Sequence, residues 1–292
     1  MFNGWINLNK QKGLSSAKAT NYLKKIVGVK KAGHAGTLDP LAEGVLPVAL
    51  GEATKTMSYA MDAKKKYEFD IEWGKSTDTE DSEGTVIAKS TSRPSKNDII
   101  KNLNGFVGNI DQIPPTYSAI KINGKRSYEL ARNNIKFDIK PRKVFIEKFV
   151  LTNYISTDKS RFIVDCSKGV YIRSLARDLA KSMGMDGHIT YLKRLTVGSF
   201  LYKDAILLAD IEKLVDKAKL LDILMPLSFV LDDIPAIDID KNKAKLLSMG
   251  QRVSIKEGIK DKKIVFVSSN SQPVALAKIE NKNILPYRVF NF

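Results

Sequence analysis

The clearest periodic pattern in the chain is a strict alternation of polar and apolar residues from Lys66 to Trp73. In a strand, side chains at every second position share one face of the sheet, so this alternation separates two faces. The apolar positions are Tyr67, Phe69, Ile71 and Trp73, and the charged positions between them are Lys66, Glu68, Asp70 and Glu72. The pattern predicts a strand in a sheet with one buried face and one solvated face.

Two amphipathic helices and a second strand are predicted elsewhere. One helix is expected over residues 17–27, directly after Ser15 or Ser16, since either hydroxyl can cap the first turn. The other is expected over residues 174–183, and residues 162–164 are a candidate strand before it. Strands and helices segregate along the chain without regular βαβ alternation. The predicted fold class is therefore α+β, with helices packed on a mixed, largely antiparallel sheet.

The chain is long enough for one large domain and one small one. Of its 292 residues 43% are apolar, which is sufficient for a sizeable core. The segment Asp232-Asp233-Ile234-Pro235 is typical of a linker, so the large domain is expected over residues 1–231. Residues 236–292 are expected to form a small β module, because short strand-like pieces alternate there with turn residues. These pieces are Val253–Ile255, Lys263–Val267 and Val274–Ile279.

The composition indicates a polyanionic partner and argues against a structural metal centre. The chain has 48 Lys and Arg against 32 Asp and Glu, a net charge of +16, which suits nucleic acid but is also compatible with a merely solvated basic surface. The single cysteine, Cys166, excludes an intrachain disulfide, and two histidines are too few for a zinc cluster. No apolar run approaches the roughly 18 residues of a membrane span, and the amino terminus lacks signal-peptide features. We expect a soluble, cytoplasmic protein without a bound metal.

One carboxylate stands out because of the residues around it. Asp39 lies in the segment Gly33–Lys55, which contains four glycines and two prolines. Pro40 fixes its own φ and biases Asp39 towards an extended backbone, so the carboxylate is presented rather than packed. The alternative is that Leu38-Asp39-Pro40 is an ordinary turn, since Asp before Pro is a common turn signal.

Several motifs of this chain together resemble those of the TruB-type tRNA pseudouridine synthases. They occur in the order of that family across roughly residues 4–230. The motifs are Gly33-His34-Ala35-Gly36-Thr37-Leu38-Asp39-Pro40, Lys66-Tyr67, Thr77-Asp78-Thr79-Glu80-Asp81, Pro114–Lys121, Gly124–Arg132, Cys166–Leu175 and Leu192-Lys193-Arg194-Leu195. A single such motif could arise by chance, but the ordered set identifies the chain as a member of this family.

The resemblance implies an isomerase that converts uridine to pseudouridine in tRNA, at position 55 of the TΨC loop. Asp39 matches the catalytic aspartate of the family, and Arg173 matches the arginine that pairs with it. Tyr67 matches the tyrosine that stacks on the target uracil close to C5, although its place in an apolar alternation also fits an ordinary core tyrosine. The reaction needs no cofactor. The sequence leaves open whether Asp39 attacks C1′ or starts a route through a glycal.

The resemblance also implies five residues that bind the substrate or complete its pocket. His34 would stack in the RNA where the uridine leaves. Asp81 would be a second carboxylate around Arg173. Lys10 matches the lysine of the family's Lys-Pro-x-Gly segment, in which this chain has Gln11 in place of the proline. Tyr171 and Leu192 complete the set.

The expected partner is the TΨC stem-loop of tRNA. Residues 117–142, rich in Lys, Arg, Asn and Tyr, resemble the thumb insertion that closes on this arm, and residues 236–292 resemble a PUA-type RNA-binding module. The guide-RNA-dependent dyskerin type shares the Asp39 motif but lacks such a thumb. We therefore expect a monomer that needs no guide RNA. A function as an RNA chaperone that unfolds and refolds tRNA is an alternative, and it is compatible with catalysis.

Overall fold

The computed structural model describes residues 2–133, 135–214, 217–255 and 264–292, with the side chains of 217 and 218 left aside. The predicted α+β class is confirmed. The strands are β1 Gly4–Lys10, β2 Ala32–His34, β3 Glu43–Leu50, β4 Lys65–Trp73, β5 Lys75–Thr77, β6 Val86–Lys89, β7 Gly108–Gln112, β8 Lys121–Ile122, β9 Lys125–Arg126, β10 Arg142–Ser156, β11 Lys159–Cys166, β12 Gly187–Val197, β13 Phe200–Leu201, β14 Ile206–Leu207, β15 Ala236–Asp238, β16 Val253–Ser254, β17 Val265–Ser269, β18 Gln272–Glu280 and β19 Asn283–Val289. The helices are α1 Ser16–Val27, α2 Met57–Asp62, α3 Lys96–Leu103, α4 Ser127–Arg132, α5 Ile172–Ser182, α6 Leu208–Lys213, α7 Lys217–Asp222 and α8 Lys241–Ser248. No helix in these ranges is long and apolar enough to cross a membrane.

A large mixed sheet forms the centre of the molecule. Its order is β14-β1-β3-β12-β4-β11-β10-β7, with β2 paired to β3 and β13 paired to β12. The β12–β3 and β1–β14 pairs are parallel, whereas the other pairs along this order are antiparallel. The alternating segment predicted as a strand is β4, which lies in the middle of the sheet between β12 and β11. Its apolar face contributes to a large hydrophobic cluster with α5.

The polar face of β4 is not uniformly solvated, which corrects the sequence-based prediction. Asp70 is 1% exposed. Its carboxylate accepts two hydrogen bonds from the Arg161 guanidinium, at 2.6 and 3.0 Å, and lies 3.1 Å from the Lys159 ammonium. The Arg161 guanidinium also lies 5.0 Å from the centre of the Tyr191 ring. These side chains from β11 and β12 cover Asp70, and cross-strand partners of this kind are not visible in a local pattern.

The helices that flank the site begin close to their predicted positions. Ser15, not Ser16, is the N-cap of α1 and accepts a hydrogen bond from the Lys18 amide at 3.2 Å. Helix α1 packs against β1 and β3 through one apolar face. Helix α5 begins at Ile172, two residues before the predicted start, so Arg173 lies in its first turn rather than ahead of it.

Residues after 235 form a second, five-stranded sheet with the order β15-β17-β18-β19-β16. The predicted strand at residues 263–267 is observed from Val265, and residue 263 lies outside the described residues. The sheet is not detached from the rest of the protein. Leu276 and Phe290 belong to the same buried cluster as Trp5 and Leu227. In addition, the Lys55 ammonium donates to the carbonyl oxygen of Val289 at 2.6 Å.

This shared cluster gives a prediction about stability. Phe290 is 4% exposed, whereas Phe292, two residues later, is 65% exposed. We expect Phe290→Ala to lower the free energy of unfolding by about 3 kcal/mol, because truncating a buried phenylalanine loses apolar burial and leaves a cavity. Phe292→Ala is the matched control and should change it by less than about 0.5 kcal/mol. Urea unfolding of the full chain measures the free energy of unfolding of both variants. Equal changes in the two variants would show that Phe290 is not part of a common core.

Candidate active site

The loop that carries Asp39 is held at several points. The Ser16 hydroxyl donates to the Leu38 carbonyl oxygen at 2.9 Å and accepts from the Leu38 amide at 2.8 Å. The Gly13 amide donates to the Pro40 carbonyl at 2.8 Å. The Ala42 amide donates to the Asp39 carbonyl at 3.1 Å, so the turn suggested by Asp-Pro is also present. These hydrogen bonds fix the backbone on both sides of Asp39. The Asp39 side chain itself remains 34% exposed.

Arg173 holds the Asp39 carboxylate from the first turn of α5. Its Nε lies 2.9 Å from Asp39 Oδ2, and its Nη2 donates to Asp39 Oδ1 at 3.2 Å. The other donors reach carbonyl oxygens of Thr79, at 2.8 Å, and Tyr117, at 2.9 Å. The Arg173 side chain is 6% exposed. A buried guanidinium that is itself fixed by two carbonyls holds the Asp39 carboxylate in one orientation.

Asp81 lies behind this pair. Its Oδ2 is 3.8 Å from Arg173 Nε, and its side chain is 4% exposed. Its Oδ1 accepts hydrogen bonds from the Thr79 hydroxyl at 2.6 Å and from the Glu83 amide at 3.0 Å. The structure thus brings Asp39, Arg173 and Asp81 together as the sequence suggested. Asp81 faces the arginine and its own loop, so it supports Arg173 rather than offering a surface to a substrate.

Tyr67 and Leu192 form the apolar side of the site. Tyr67 is 8% exposed and Leu192 is 4% exposed, and both belong to the buried cluster that includes Leu38 and Leu41 of the Asp39 loop. Burial raises the pKa of the Tyr67 hydroxyl, and the adjacent Arg194 cation opposes that rise. The ring of Tyr67 packs in the core at the edge of the Asp39 loop. This position is compatible both with an ordinary core tyrosine and with a ring that stacks on a substrate base.

Lys10 occupies a different place from the one expected of a group that binds substrate. It is fully buried, and its ammonium donates to the carbonyl oxygens of Leu14 at 2.6 Å, Gln11 at 3.0 Å and Pro40 at 3.4 Å. Burial lowers its pKa to about 8, and the Asp39 charge acts in the opposite direction. Lys10 therefore supports the Asp39 loop from beneath, and direct contact with a substrate does not fit this geometry.

His34 and Tyr171 lie at the margins of the site and are half-buried. The His34 ring lies 3.1 Å, through Nδ1, from the Thr20 hydroxyl, and 3.3 Å, through Nε2, from the Thr37 hydroxyl. Burial lowers the pKa of His34, and the Arg194 cation lowers it further, so both favour the uncharged ring. Tyr171 is the N-cap of α5, and its amide and carbonyl are both bonded to the Gln112 side chain, at 2.8 and 3.0 Å.

Sequence reasoning missed two residues that shape the site. Ser16 was considered only as a helix cap, whereas its hydroxyl clamps Leu38 next to Asp39. The motif that contains Arg194 gives this residue no role in the sequence, although its side chain reaches the Asp39 loop in the structure. The chain separations of these contacts are 22 and 158 residues. A local pattern contains no signal for such pairings, because they depend on which strands become neighbours.

The arrangement provides an accessible carboxylate, a buried cation that orients it, and an aromatic and aliphatic wall beside it. No group of three or more His, Cys, Asp and Glu side chains suited to a metal ion is found in the described ranges. These groups can act on a substrate through nucleophilic or proton-transfer steps.

Solved structures that share the fold of this chain include proteins from two multicomponent assemblies. The chain superimposes on a protein from "Crystal Structure of a Cbf5-Nop10-Gar1 Complex" with a TM-score of 0.75 and 24% identity, covering 99% of this chain and 85% of that one. It matches a chain in "Structure of H/ACA RNP bound to a substrate RNA containing 2'-deoxyuridine" with a TM-score of 0.73 and 22% identity, covering 99% of this chain and 85% of that one. At these identities the likeness shows the fold alone.

Sequence comparisons are more specific. Residues 24–172 match the TruB family pseudouridylate synthase N-terminal domain, and residues 173–232 match the tRNA pseudouridylate synthase B C-terminal domain. A tRNA pseudouridine synthase B from Bradyrhizobium diazoefficiens is 44% identical, covering 99% of this chain and 86% of the relative. Another from Ehrlichia chaffeensis is 42% identical, covering 99% of each. The chain therefore belongs to the TruB family of pseudouridylate synthases.

Proposed function

We propose that this protein isomerises uridine 55 in the TΨC loop of tRNA to pseudouridine, acting as a monomer in the cytoplasm without a guide RNA. The observation that carries the proposal is the Asp39 side chain, which is 34% exposed although its Oδ2 atom lies 2.9 Å from Arg173 Nε. Membership of the TruB family supports the reaction, and relatives named tRNA pseudouridine synthase B support the substrate.

The chemistry requires one glycosidic bond to break and one carbon–carbon bond to form. The N1–C1′ bond of the uridine is cleaved, the uracil turns while it remains in the pocket, and C5 bonds to C1′. The proton lost from C5 is balanced by a proton gained at the released nitrogen, so substrate and product have the same atoms. Asp39 acts as the nucleophile or base at the ribose. Tyr67 stacks on the uracil, and its phenolate form, which the adjacent Arg194 cation favours, accepts the C5 proton; Leu192 closes the pocket.

A uridine within a folded loop reaches such a pocket only by leaving its stack. His34 lies on β2 at the entrance to the Asp39 loop and presents a half-buried ring, which is suited to stacking on the bases that remain. The extruded base would then lie between Tyr67 and the Asp39–Arg173 pair. This placement accounts for a carboxylate that is fixed but accessible.

The segment expected to be a thumb offers cations to the RNA backbone. The β8–β9 hairpin and α4 carry exposed Lys121, Lys125, Arg126 and Arg132. The carbonyl oxygen of Tyr117, at the start of this segment, accepts a hydrogen bond from Arg173 at 2.9 Å. Exposed Lys and Arg contribute affinity through phosphate contacts. We propose that this segment closes on the TΨC arm next to the catalytic pair.

A single reaction tests the proposed function. Purified protein is incubated with an unmodified tRNA transcript in the absence of any other RNA, and pseudouridine is mapped by chemical labelling and primer extension. We expect one new stop, at position 55. A transcript with cytidine at that position is the control and should give no stop there. A stop elsewhere, or a requirement for a second RNA, would contradict the proposal.

Activity should also survive removal of metal ions. The proposed isomerisation has no redox, hydrolytic or phosphoryl-transfer step, so we expect the single-turnover rate on a prefolded TΨC hairpin to change less than about twofold in excess EDTA. Full-length tRNA run in parallel separates an effect on RNA folding from an effect on chemistry. Loss of activity on the hairpin, restored by a divalent cation, would overturn this prediction.

A further inference from the structure

Arg194 is a buried cation at the centre of the large sheet. It lies on β12, where its register partners are Gly44 on β3 and Tyr67 on β4. It is only 1% exposed. Residues opposite each other on neighbouring strands project to the same face. The Arg194 side chain therefore shares the face of Tyr67, on which the Asp39 loop also packs.

The Arg194 guanidinium joins the two ends of the Asp39 loop. Its Nε donates to the Val45 carbonyl oxygen at 2.7 Å, and its Nη2 donates to the Gly36 carbonyl oxygen at 2.9 Å. Gly36 precedes Asp39 by three residues and Val45 follows it by six. One rigid, planar group thus fixes where the loop leaves the sheet and where it returns. A flexible ammonium could not span both carbonyls in the same way.

Two glycines of the loop segment make room for Arg194. A Cβ at Gly36 would lie 3.3 Å from Arg194 Nη1, and a Cβ at Gly44 would lie 2.3 Å from the Arg194 carbonyl oxygen. Both glycines also have positive φ values, +91° and +102°. The backbone of the loop therefore approaches Arg194 more closely than residues with side chains would allow.

The charge of Arg194 is directed at the site rather than neutralised by an acid. In the part of the chain that the structure describes, its side-chain hydrogen bonds go to carbonyl oxygens, and its other partner is the Tyr67 hydroxyl. A buried cation held only by neutral groups carries a desolvation cost, which the carbonyl oxygens that it binds offset in part. Its remaining reach is towards the Tyr67 oxygen, where an adjacent cation favours the ionised form that could accept a proton.

We propose that Arg194 is a positioning residue for the isomerisation: it fixes the Asp39 loop against the Tyr67 hydroxyl so that both groups face the same uridine. The inference rests on the proposed function, and it adds a residue that acts through Asp39 and Tyr67 without touching the substrate. Arg173 orients the carboxylate of Asp39 from the side of α5, and Arg194 sets the backbone beneath it from the side of the sheet.

The first test compares Arg194→Lys and Arg194→Gln with the wild type in single-turnover reactions at saturating unmodified tRNA. We expect both variants to slow pseudouridine formation by about 100-fold or more, because small misplacements of reacting groups have effects of this size. The dissociation constant for tRNA should change less than about threefold, since Arg194 is buried. Lysine keeps the charge and should retain more activity than glutamine.

Arg161→Gln is the matched control. Arg161 also bridges neighbouring strands of the same sheet, but it bonds Asp70 on the opposite face. This variant should lower thermal stability and leave the rate of the folded protein unchanged. A rate loss in Arg161→Gln equal to that in the Arg194 variants would show that any damage to the sheet slows the reaction, and the inference would fail.

A double-mutant cycle with Tyr67→Phe separates positioning from general damage. If Arg194 acts partly through the Tyr67 hydroxyl, Arg194→Lys should slow the single-turnover reaction by about 100-fold in the wild-type background but by less than about 10-fold in the Tyr67→Phe background. Equal losses in both backgrounds overturn the inference. Arg194→Lys decides the question even if Arg194→Gln does not fold. An inactive wild-type protein would instead refute the proposed function.

Discussion

Asp39→Asn is expected to abolish pseudouridine formation while the protein stays folded and its affinity for tRNA changes less than about threefold. Asparagine has nearly the same shape as aspartate, and the contacts of Ser16 with Leu38 and of Gly13 with Pro40 do not involve the carboxylate. The amide, however, is neither a nucleophile nor a base. One uncharged side chain also changes little in an interface dominated by phosphate contacts.

The measurement is the single-turnover rate together with a tRNA binding isotherm at one fixed salt concentration. Asp70→Asn is the matched control, because Asp70 is also a carboxylate bonded to an arginine but lies on the opposite face of the sheet. It should reduce stability without changing the rate at temperatures where the protein is folded. Normal turnover by Asp39→Asn would remove Asp39 from the mechanism, and an unfolded Asp39→Asn protein would favour the interpretation of Asp39 as a turn residue alone.

The four groups that meet at the site come from distant parts of the chain. Asp39 lies in the loop between β2 and β3, Tyr67 on β4, Arg173 on α5 and Arg194 on β12. They converge because β12 is inserted between β3 and β4 in the sheet, with Arg194 in register with both neighbours. A shift of β12 by one residue would turn Arg194 to the other face. The strand order is therefore as much a part of the site as the side chains.

The sequence predicted those parts of the fold whose signal is local. Strand β4 follows from strict alternation, α1 from helical spacing and a capping serine, and α5 from helical spacing. Their observed bounds differ from the predicted ones by two residues or fewer. The Asp39 loop is predictable because glycine and proline have the same effects on the backbone wherever they occur. These features depend on neighbouring residues and need no knowledge of the tertiary structure.

The buried charges could not be predicted in this way. Asp70 follows the alternation of a solvated face but is covered by Arg161, 91 residues away. Lys10 and Arg194 resemble surface residues in the sequence, yet both are buried with their donors bonded to backbone carbonyls. Burying a charge is costly unless partners are supplied, and those partners come from long-range packing. The same long-range contacts support the candidate site, which explains why its supporting residues were missed.

Tyr67→Phe and Tyr67→Leu should separate proton transfer from packing. Phenylalanine keeps the ring in the cluster with Leu38 and Leu192 and removes only the hydroxyl, whereas leucine removes both. We expect Tyr67→Phe to lower the single-turnover rate by about 100-fold to 1,000-fold, where each factor of ten corresponds to about 1.4 kcal/mol in the activation free energy. Affinity for tRNA should be nearly unchanged, because phenylalanine keeps the ring that we propose stacks on the uracil.

The step that is slowed can be identified with tRNA that carries deuterium at C5 of the target uridine. If the Tyr67 hydroxyl accepts the C5 proton, removing it makes this late step limiting, and the isotope effect should be larger in Tyr67→Phe than in the wild type. Tyr67→Leu should show the same slowing together with weaker tRNA binding and a lower melting temperature, since the buried ring is lost as well. Equal rates for wild type and Tyr67→Phe would make the hydroxyl dispensable. Tyr67 would then be a stacking or core residue only, and the contact between Arg194 and its hydroxyl would have no part in catalysis.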